Sequence, residues 1–222
     1  MIEDKRKRLV QDLKKKGYLE NSGVIKSFET VPRENFIPSK YEKQAYVDRP
    51  LSIGEGQTIS APSMIAIMLE VLKVEEGQKI LEIGTGSGYN AALMAEMVGE
   101  EGKIYSVERL SEVAEFGRKN LEDAGYGGIV DVIVGDGTTG LGREAPFDRI
   151  IVTACAPKVS DSLIEQLKVD GILAAPVGSH YRGQRLLEVE KVAKGDTEIN
   201  RHTSCAFVPL IGQDGWDEGE VR

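Results

Sequence analysis

Short apolar runs alternate with amphipathic segments from about residue 79 onward, a pattern typical of a parallel sheet covered by helices. The predicted strands span residues 79–83, 103–107, 130–134, 148–152 and 172–177. The predicted helices between them span residues 90–98, 111–124 and 160–167. Gly125 is suited to end the second helix, and Ser160 is suited to begin the third. This order predicts an α/β fold with a doubly wound, mostly parallel sheet and helices on both faces.

The pattern changes on either side of this core. Residues 185–192 and 204–210 predict two further strands joined by a polar turn, and these should be antiparallel because no crossover helix fits between them. Residues 1–78 predict a helical and loop region packed on the core at 79–212, with a long irregular stretch over 31–59 of the kind that is usually functional. The acidic, Gly-rich residues 213–222 are expected to fray. We expect one domain overall.

Composition limits the classes of protein that need considering. The 222 residues are 41% hydrophobic and 29% charged, without an apolar run long enough to cross a bilayer or an apolar signal peptide, so we expect a cytoplasmic protein that does not bind membranes. Cys155 and Cys205 are too few for a disulfide scaffold and are expected to be buried thiols. His180 and His202 lack metal-ligand spacing, so no metal site is expected.

The net charge of −8 disfavours nucleic acid as a partner, because such a surface repels phosphates. One basic stretch, residues 5–16, is an exception. Leu9, Val10 and Leu13 could form an apolar stripe within it, which favours a docked helix with a solvated basic face over a nucleic-acid or lipid patch.

An apolar strand runs into a glycine-rich turn at residues 80–89, with the sequence ILEIGTGSGY. Glycine lets the backbone turn tightly and lets a ligand approach it closely. The dinucleotide pattern G-x-G-x-x-G would need glycine at position 89, where Tyr89 stands, whereas the acidic-x-G-x-G-x-G form is complete. That form resembles the S-adenosylmethionine-binding motif of class I methyltransferases, which have a Rossmann-like fold, although a purely structural turn is the alternative. The candidate cofactor residues here are Glu82, Gly84, Thr85, Gly86 and Gly88.

Two later strand ends carry further candidate cofactor residues. Glu108, followed by Arg109, stands 20 residues after Gly88 and could accept hydrogen bonds from both ribose hydroxyls. The resemblance implies that Asp136, between Gly135 and Gly137, meets the adenine edge. A solvated glutamate and an ordinary Asp-Gly turn are the alternatives. The implied cofactor is S-adenosyl-L-methionine, with S-adenosyl-L-homocysteine as its product.

Several segments within residues 22–211 resemble the protein-L-isoaspartate O-methyltransferases. These segments are residues 31–38, 46–54, 56–62, 147–154, 176–178 and 207–210. The resemblance implies methyl transfer to the free α-carboxylate of L-isoaspartyl residues in damaged proteins and peptides, and we expect a monomer. It places Ser60, with Thr58, in catalysis. The implied substrate-binding residues are Thr58, Ile59, Ser60, Ala61 and Val208.

Two points qualify this resemblance. The family commonly has histidine after Ser-Ala-Pro, where this chain has Ser63. Ser60 could alternatively cap the helix that begins near Pro62. A methyltransferase of the same fold that acts on RNA or a small molecule, and a catalytically silent cofactor-binding module, are the other classes considered. The Asn/Asp-Pro-Pro-aromatic motif of amino-methylating enzymes is absent, and residues 153–157 stand in its place.

Overall fold

The computed structural model describes residues 1–179 and 183–219. In chain order its elements are α1 (Ile2–Lys15), α2 (Ser22–Thr30), β1 (Leu51–Gly54), β2 (Gln57–Ile59), α3 (Pro62–Leu72), β3 (Lys79–Ile83), α4 (Tyr89–Val98), β4 (Lys103–Glu108), α5 (Ser111–Asp123), β5 (Val130–Val134), β6 (Phe147–Val152), α6 (Asp161–Gln166), β7 (Leu167–Ser179), β8 (Gly183–Ala193) and β9 (Asp196–Cys205). Short 3₁₀ helices span Arg33–Phe36, Ser39–Gln44 and Gly142–Glu144.

The main sheet has seven strands in the order β5-β4-β3-β6-β7-β8-β9. Strands β3 to β7 pair in parallel, whereas β8 pairs antiparallel with both β7 and β9. The predicted fold class and the antiparallel C-terminal end are therefore confirmed. The chain winds outward from β3 to β5 and then returns to the other side of β3. This reversal makes the carboxyl end of β3 a topological switch point, where sheets of this kind bind ligands.

The two faces of the sheet carry separate hydrophobic clusters, because neighbouring residues of a strand point in opposite directions. Ile80 of β3 lies in the cluster that includes α1 to α4, and Leu81 lies in the cluster that includes Leu163 of α6. The predicted stripe on α1 is buried, which confirms that this basic helix docks through its apolar side. In the part of the chain that the structure describes, no helix is long and apolar enough to cross a membrane.

The last strand corrects one prediction. A strand was predicted over residues 204–210, but β9 spans Asp196–Cys205 and the following residues form an extended segment that bridges Pro209 to Cys155. Strand β9 lies at the sheet edge and most of its side chains are exposed, so it lacks the apolar alternation that reveals a half-buried strand. Cys205 is only half-buried, unlike Cys155. His180 lies outside the described residues.

The N-terminal loop and the C-terminal tail are more ordered than predicted. The stretch over 31–59 contains two 3₁₀ helices and the β1–β2 hairpin. The Asp214 carboxylate accepts hydrogen bonds from the Ser160 and Ser162 hydroxyls, and Trp216 Nε1 donates to the Cys155 carbonyl at 3.0 Å. The predicted fraying is therefore wrong for this part of the tail, because side-chain partners distant in sequence hold it to the body.

Candidate active site

Three adjoining cavities lie at the carboxyl ends of the parallel strands. The strand-end cleft, about 220 Å³, is lined by residues 56–58, 83, 84, 86, 107–110, 137, 153, 154 and 208–211. The hairpin cavity, about 210 Å³, is lined by residues 50, 58, 60, 61, 64, 153 and 206–208. A linking cavity of about 50 Å³ is lined by residues 58–60, 65, 68, 84–87, 90, 153 and 207. Thr58 and Thr153 line all three.

The three glycines of the loop after β3 have different structural roles. Gly84, Gly86 and Gly88 all have positive φ, at 97°, 54° and 82°. A Cβ on Gly84 would lie 2.3 Å from Thr153 Oγ1, and one on Gly88 would lie 2.9 Å from the Gly117 carbonyl oxygen. A Cβ on Gly86 would meet only Ile53 Cδ1, at 3.7 Å. Gly84 and Gly88 are therefore required for packing, whereas Gly86 leaves space for a ligand in the cleft that it lines.

Glu108 joins the end of β4 to the glycine loop. Its Oε2 accepts a hydrogen bond from Gly86 N and its Oε1 accepts one from Leu110 N, both at 3.1 Å. The side chain is largely buried yet lines the strand-end cleft. A carboxylate held by two backbone N–H groups has a defined orientation and keeps lone pairs available for hydroxyl donors. The role of Glu108 towards a ribose stays a prediction.

Glu82, predicted as a cofactor residue, lies beneath the loop. It is fully buried and accepts hydrogen bonds from Asn90 Nδ2 at 2.8 Å and from Ser106 Oγ at 2.5 Å. Ser106 Oγ in turn lies 2.6 Å from Thr85 Oγ1. Burial raises the pKa of Glu82 to about 7. Because Glu82 has no exposed surface, it supports the loop and does not contact a ligand, which corrects the prediction.

At the third strand end, one of the three predicted residues lines the cleft. Gly137 lines the cleft, but Gly135 and Asp136 do not. The Asp136 carboxylate accepts hydrogen bonds from Thr138 and from Gln213 N at 2.8 Å, so it anchors the C-terminal tail. A tail contact of this kind cannot be inferred from an Asp-Gly pair alone.

Thr58 and Ser60 lie beside the cavities and carry hydroxyl groups. Within residues 1–179 and 183–219, neither hydroxyl has a hydrogen-bond partner. The N-cap of α3 is Ala61, without a side-chain cap, so the capping alternative for Ser60 is wrong. The Asp48 side chain, which lies outside the helix, accepts a hydrogen bond from Ser63 N in the first turn of α3 at 2.9 Å. The Ser60 hydroxyl is thus available to a ligand.

Most of the predicted site residues come together here. Those that line at least one of the cavities are Thr58, Ile59, Ser60, Ala61, Gly84, Thr85, Gly86, Glu108, Arg109, Gly137 and Val208. Arg109 is exposed at the rim and forms an ion pair with Glu218 at 2.9 Å. Glu82, Gly88, Gly135 and Asp136 do not line them.

Thr153 and the segment 209–211 also line the cleft, although neither was predicted as part of the site. Thr153 Oγ1 donates a hydrogen bond to the Gly84 carbonyl at 2.7 Å. Its position directly after β6, the strand beside β3, is the signal that could have identified it. The neighbouring Phe207 is held in place by Gln184, whose side chain exchanges hydrogen bonds with its backbone at 2.6 and 2.9 Å. Over the ranges that the structure covers, no group of three His, Cys, Asp or Glu residues could hold a metal ion.

Comparison with known proteins identifies the family. The family model described as protein-L-isoaspartate(D-aspartate) O-methyltransferase (PCMT) matches residues 4–215. Protein-L-isoaspartate O-methyltransferases of Methanopyrus kandleri and Thermococcus sibiricus are 51% and 53% identical, covering 97% and 95% of this chain and 95% of each relative.

Solved structures agree with the sequence comparison. One protein-L-isoaspartate O-methyltransferase superposes with a TM-score of 0.84 at 32% identity, over 95% of this chain and 67% of the other. A putative enzyme of this type from Plasmodium falciparum, in complex with S-adenosyl-L-homocysteine, superposes with a TM-score of 0.83 at 25% identity, over 93% and 98% of the two chains. The chain belongs to the protein-L-isoaspartate(D-aspartate) O-methyltransferase family.

Proposed function

We propose that this protein transfers the methyl group of S-adenosyl-L-methionine to the free α-carboxylate of L-isoaspartyl residues in damaged proteins and peptides, which starts their repair. The observation that carries the proposal is the shared wall of Thr58 and Thr153 between the strand-end cleft and the hairpin cavity. A cofactor in the cleft and a peptide carboxylate in the hairpin cavity would meet at this wall. The family membership of the chain supports this assignment of the two cavities.

The residues of the strand-end cleft fit the cofactor. The space beside Gly86 would be filled by any side chain, and Glu108 provides an acceptor for ribose hydroxyls. Gly137 and Arg109 would complete the wall on the adenosine side. When bound, S-adenosyl-L-methionine supplies an electrophilic methyl group on a positively charged sulfur.

The substrate side needs no general base. An α-carboxyl group has an ordinary pKa of about 3.5, so it is ionised and nucleophilic at neutral pH. Thr58 and Ser60 can each donate one hydrogen bond to this carboxylate. Two neutral donors can orient the nucleophile. Stronger hydrogen bonding would stabilise the charged ground state more than the transition state, in which that charge is being neutralised, and would slow the reaction. Orientation is therefore the main contribution that we assign to these residues.

The apolar walls of the hairpin cavity support this chemistry. Met64, Phe207 and Val208 line the cavity, and Phe207 is buried. Opposite charges are neutralised along the reaction path, and an apolar surrounding favours that neutralisation because it solvates separated charges poorly. The methyl ester product can cyclise spontaneously to a succinimide, which can reopen as a normal aspartyl residue. That the enzyme acts as a cytoplasmic monomer and binds neither nucleic acid nor membrane stays a prediction.

The direct test is methyl transfer from labelled S-adenosyl-L-methionine to a synthetic isoaspartyl peptide, measured as methanol released from the ester. The matched control is the peptide of the same sequence with normal aspartate, which should remain unlabelled. Cofactor binding without methanol release would indicate a silent binding module. Label appearing in RNA instead of the peptide would indicate a nucleic-acid methyltransferase, and either result would contradict the proposal.

A further inference from the structure

Arg33 is a buried cation that lines none of the three cavities. It lies in the 3₁₀ helix Arg33–Phe36, and its side chain has no exposed surface. In the described part of the chain, no carboxylate lies within ion-pair distance of its guanidinium, and its Nη1 has no hydrogen-bond partner. Burial lowers the pKa of Arg33 to about 10. A buried charge of this kind is costly, so packing alone does not explain it.

The contacts of Arg33 join three separate segments. Its Nε donates to the Ala45 carbonyl at 2.9 Å, and its Nη2 donates to the Ser60 carbonyl at 2.7 Å. The guanidinium carbon lies 5.1 Å from the centre of the Tyr89 ring, a cation–π distance. Tyr89 is the first residue of α4 and directly follows the glycine loop. One side chain thus connects the substrate loop to the helix that follows the cofactor loop.

The planar guanidinium suits this position, because it can direct two N–H groups at two carbonyls while stacking on a ring. Lysine offers a single nitrogen and could not satisfy both segments with the same geometry. Phe28 and Phe36 pack around the Tyr89 ring, with centroid distances of 6.3 and 5.5 Å, which restricts the ring on which Arg33 rests.

We propose that Arg33 is a positioning residue for methyl transfer, which holds the Ser60 carbonyl, and with it the Ser60 hydroxyl, in register with the cofactor side of the site. This role rests on the proposed function. It requires that loss of Arg33 impair turnover of the isoaspartyl peptide while cofactor binding is retained, because Arg33 does not line the strand-end cleft. A small displacement of a reacting group can cost up to about a hundredfold in rate.

The experiment compares full-length Arg33→Ala and Arg33→Lys with Arg149→Ala. Arg149 is a matched control, because it is a largely buried arginine that donates to two backbone carbonyls, of Lys73 and Asp148, and lines none of the three cavities. Each variant is measured for S-adenosyl-L-homocysteine affinity by calorimetry, for kcat and KM on an isoaspartyl peptide, and for thermal melting. Kinetics are measured at a temperature where circular dichroism shows every variant folded.

Both Arg33 variants should lose roughly ten- to a hundredfold in peptide kcat/KM, with cofactor affinity changed by less than about threefold. Arg149→Ala should melt at a lower temperature but retain wild-type kcat/KM. Added guanidinium or methylguanidinium ions should restore part of the turnover of Arg33→Ala, since they can occupy the vacated volume, and should not affect Arg149→Ala.

Peptide turnover within about twofold of wild type in both Arg33 variants would overturn the positioning role. A parallel loss of cofactor affinity would also overturn it, and so would failure of both variants to fold at any temperature. Either result would mean that Arg33 stabilises the fold as a whole and has no specific effect on Ser60. If only Arg33→Ala fails to fold, the peptide kcat/KM of Arg33→Lys tests the positioning role by the same criteria. Absence of methylation by the wild-type enzyme would contradict the proposed function itself, which separates the two failures.

Discussion

The strand-end cleft and the hairpin cavity adjoin each other but are built in different ways. The loop after β3 and the end of the neighbouring strand β4 form the centre of the cleft and are linked by the hydrogen bond from Gly86 N to Glu108, while residues 56–58 and 208–211 complete its lining. The hairpin cavity combines residues 50–64 with Thr153 and the segment 206–208, and its loop is held by the buried Arg33. Neighbouring strand ends therefore organise the centre of the cleft, which we propose as the cofactor half, whereas contacts distant in sequence organise the hairpin cavity, which we propose as the substrate half. Substitutions in the cleft should therefore affect cofactor binding, and substitutions in the hairpin cavity should affect turnover of the peptide.

The largest effect is expected for Gly86→Val, which should abolish S-adenosyl-L-methionine binding in calorimetry. The branched side chain would occupy the open space beside Gly86, and its positive φ adds about 1–2 kcal/mol of strain. Gly88→Ala is the comparison variant, because its Cβ would lie 2.9 Å from the Gly117 carbonyl. That variant should lose stability and keep cofactor affinity, and an unaltered titration for Gly86→Val would reject this division of roles.

Ser60→Asp should impair the substrate half alone. Two like charges about 4 Å apart near a protein surface repel by about 4 kcal/mol, so peptide kcat/KM should fall by about two to three orders of magnitude. Ser60→Ala, which only removes the donor, should be the better enzyme. Because Ser60 does not cap α3, both variants should melt close to wild type. Wild-type turnover by Ser60→Asp would remove Ser60 from the active site.

Glu82 should make the stability of the cofactor half depend on pH. The carboxyl group ionises near its ordinary pKa of 4.5 when the chain is unfolded and near about 7 in the folded protein. Between these values the folded state binds more protons, so stability falls as pH rises and levels off above about 7. The total is on the order of 3 kcal/mol. Urea unfolding of wild type and Glu82→Gln across this range should show the fall only in wild type, and parallel curves would contradict this assignment.

Glu108→Ala should weaken S-adenosyl-L-methionine binding by roughly 1.5–3 kcal/mol, because it removes a charged acceptor for ribose hydroxyls and releases Gly86 N. Calorimetry measures the loss directly. KM for the isoaspartyl peptide, determined at saturating cofactor, should stay near the wild-type value. Unchanged cofactor affinity would show that Glu108 serves only the loop.

The smallest effect is expected for Glu218→Gln, which removes the ion pair with Arg109 at the rim of the cleft. Both side chains are exposed, so the pair should contribute less than about 1 kcal/mol to stability, and less at high salt. Thermal melting at low and high ionic strength measures this contribution. A larger loss of stability that does not depend on salt would indicate that Glu218 contributes more to the attachment of the C-terminal tail than an exposed ion pair can.

Several features could be predicted from the sequence because local patterns specify them. Strands β3 and β5 have the predicted bounds, since each is a short run rich in β-branched residues that ends at glycine. The glycine loop, Glu108 and the family segments were sufficient to indicate a methyltransferase fold and to place Thr58, Ser60 and Val208 at the cavities. These signals depend on periodicity and on backbone conformations that few residue types can adopt, such as the positive φ of the glycine loop.

The tertiary structure decided which polar groups are occupied and which are available. Glu82 and Asp136 stand in motif positions, but one is buried against Asn90 and Ser106 and the other is bound by the tail. From the sequence, Ser60 could be the N-cap of α3, but in the structure Ala61 occupies the N-cap position. Each outcome depends on partners tens of residues away or on local geometry that residue type alone leaves open. The sequence thus determined the family and the frame of the site, and long-range packing determined which side chains face the ligand.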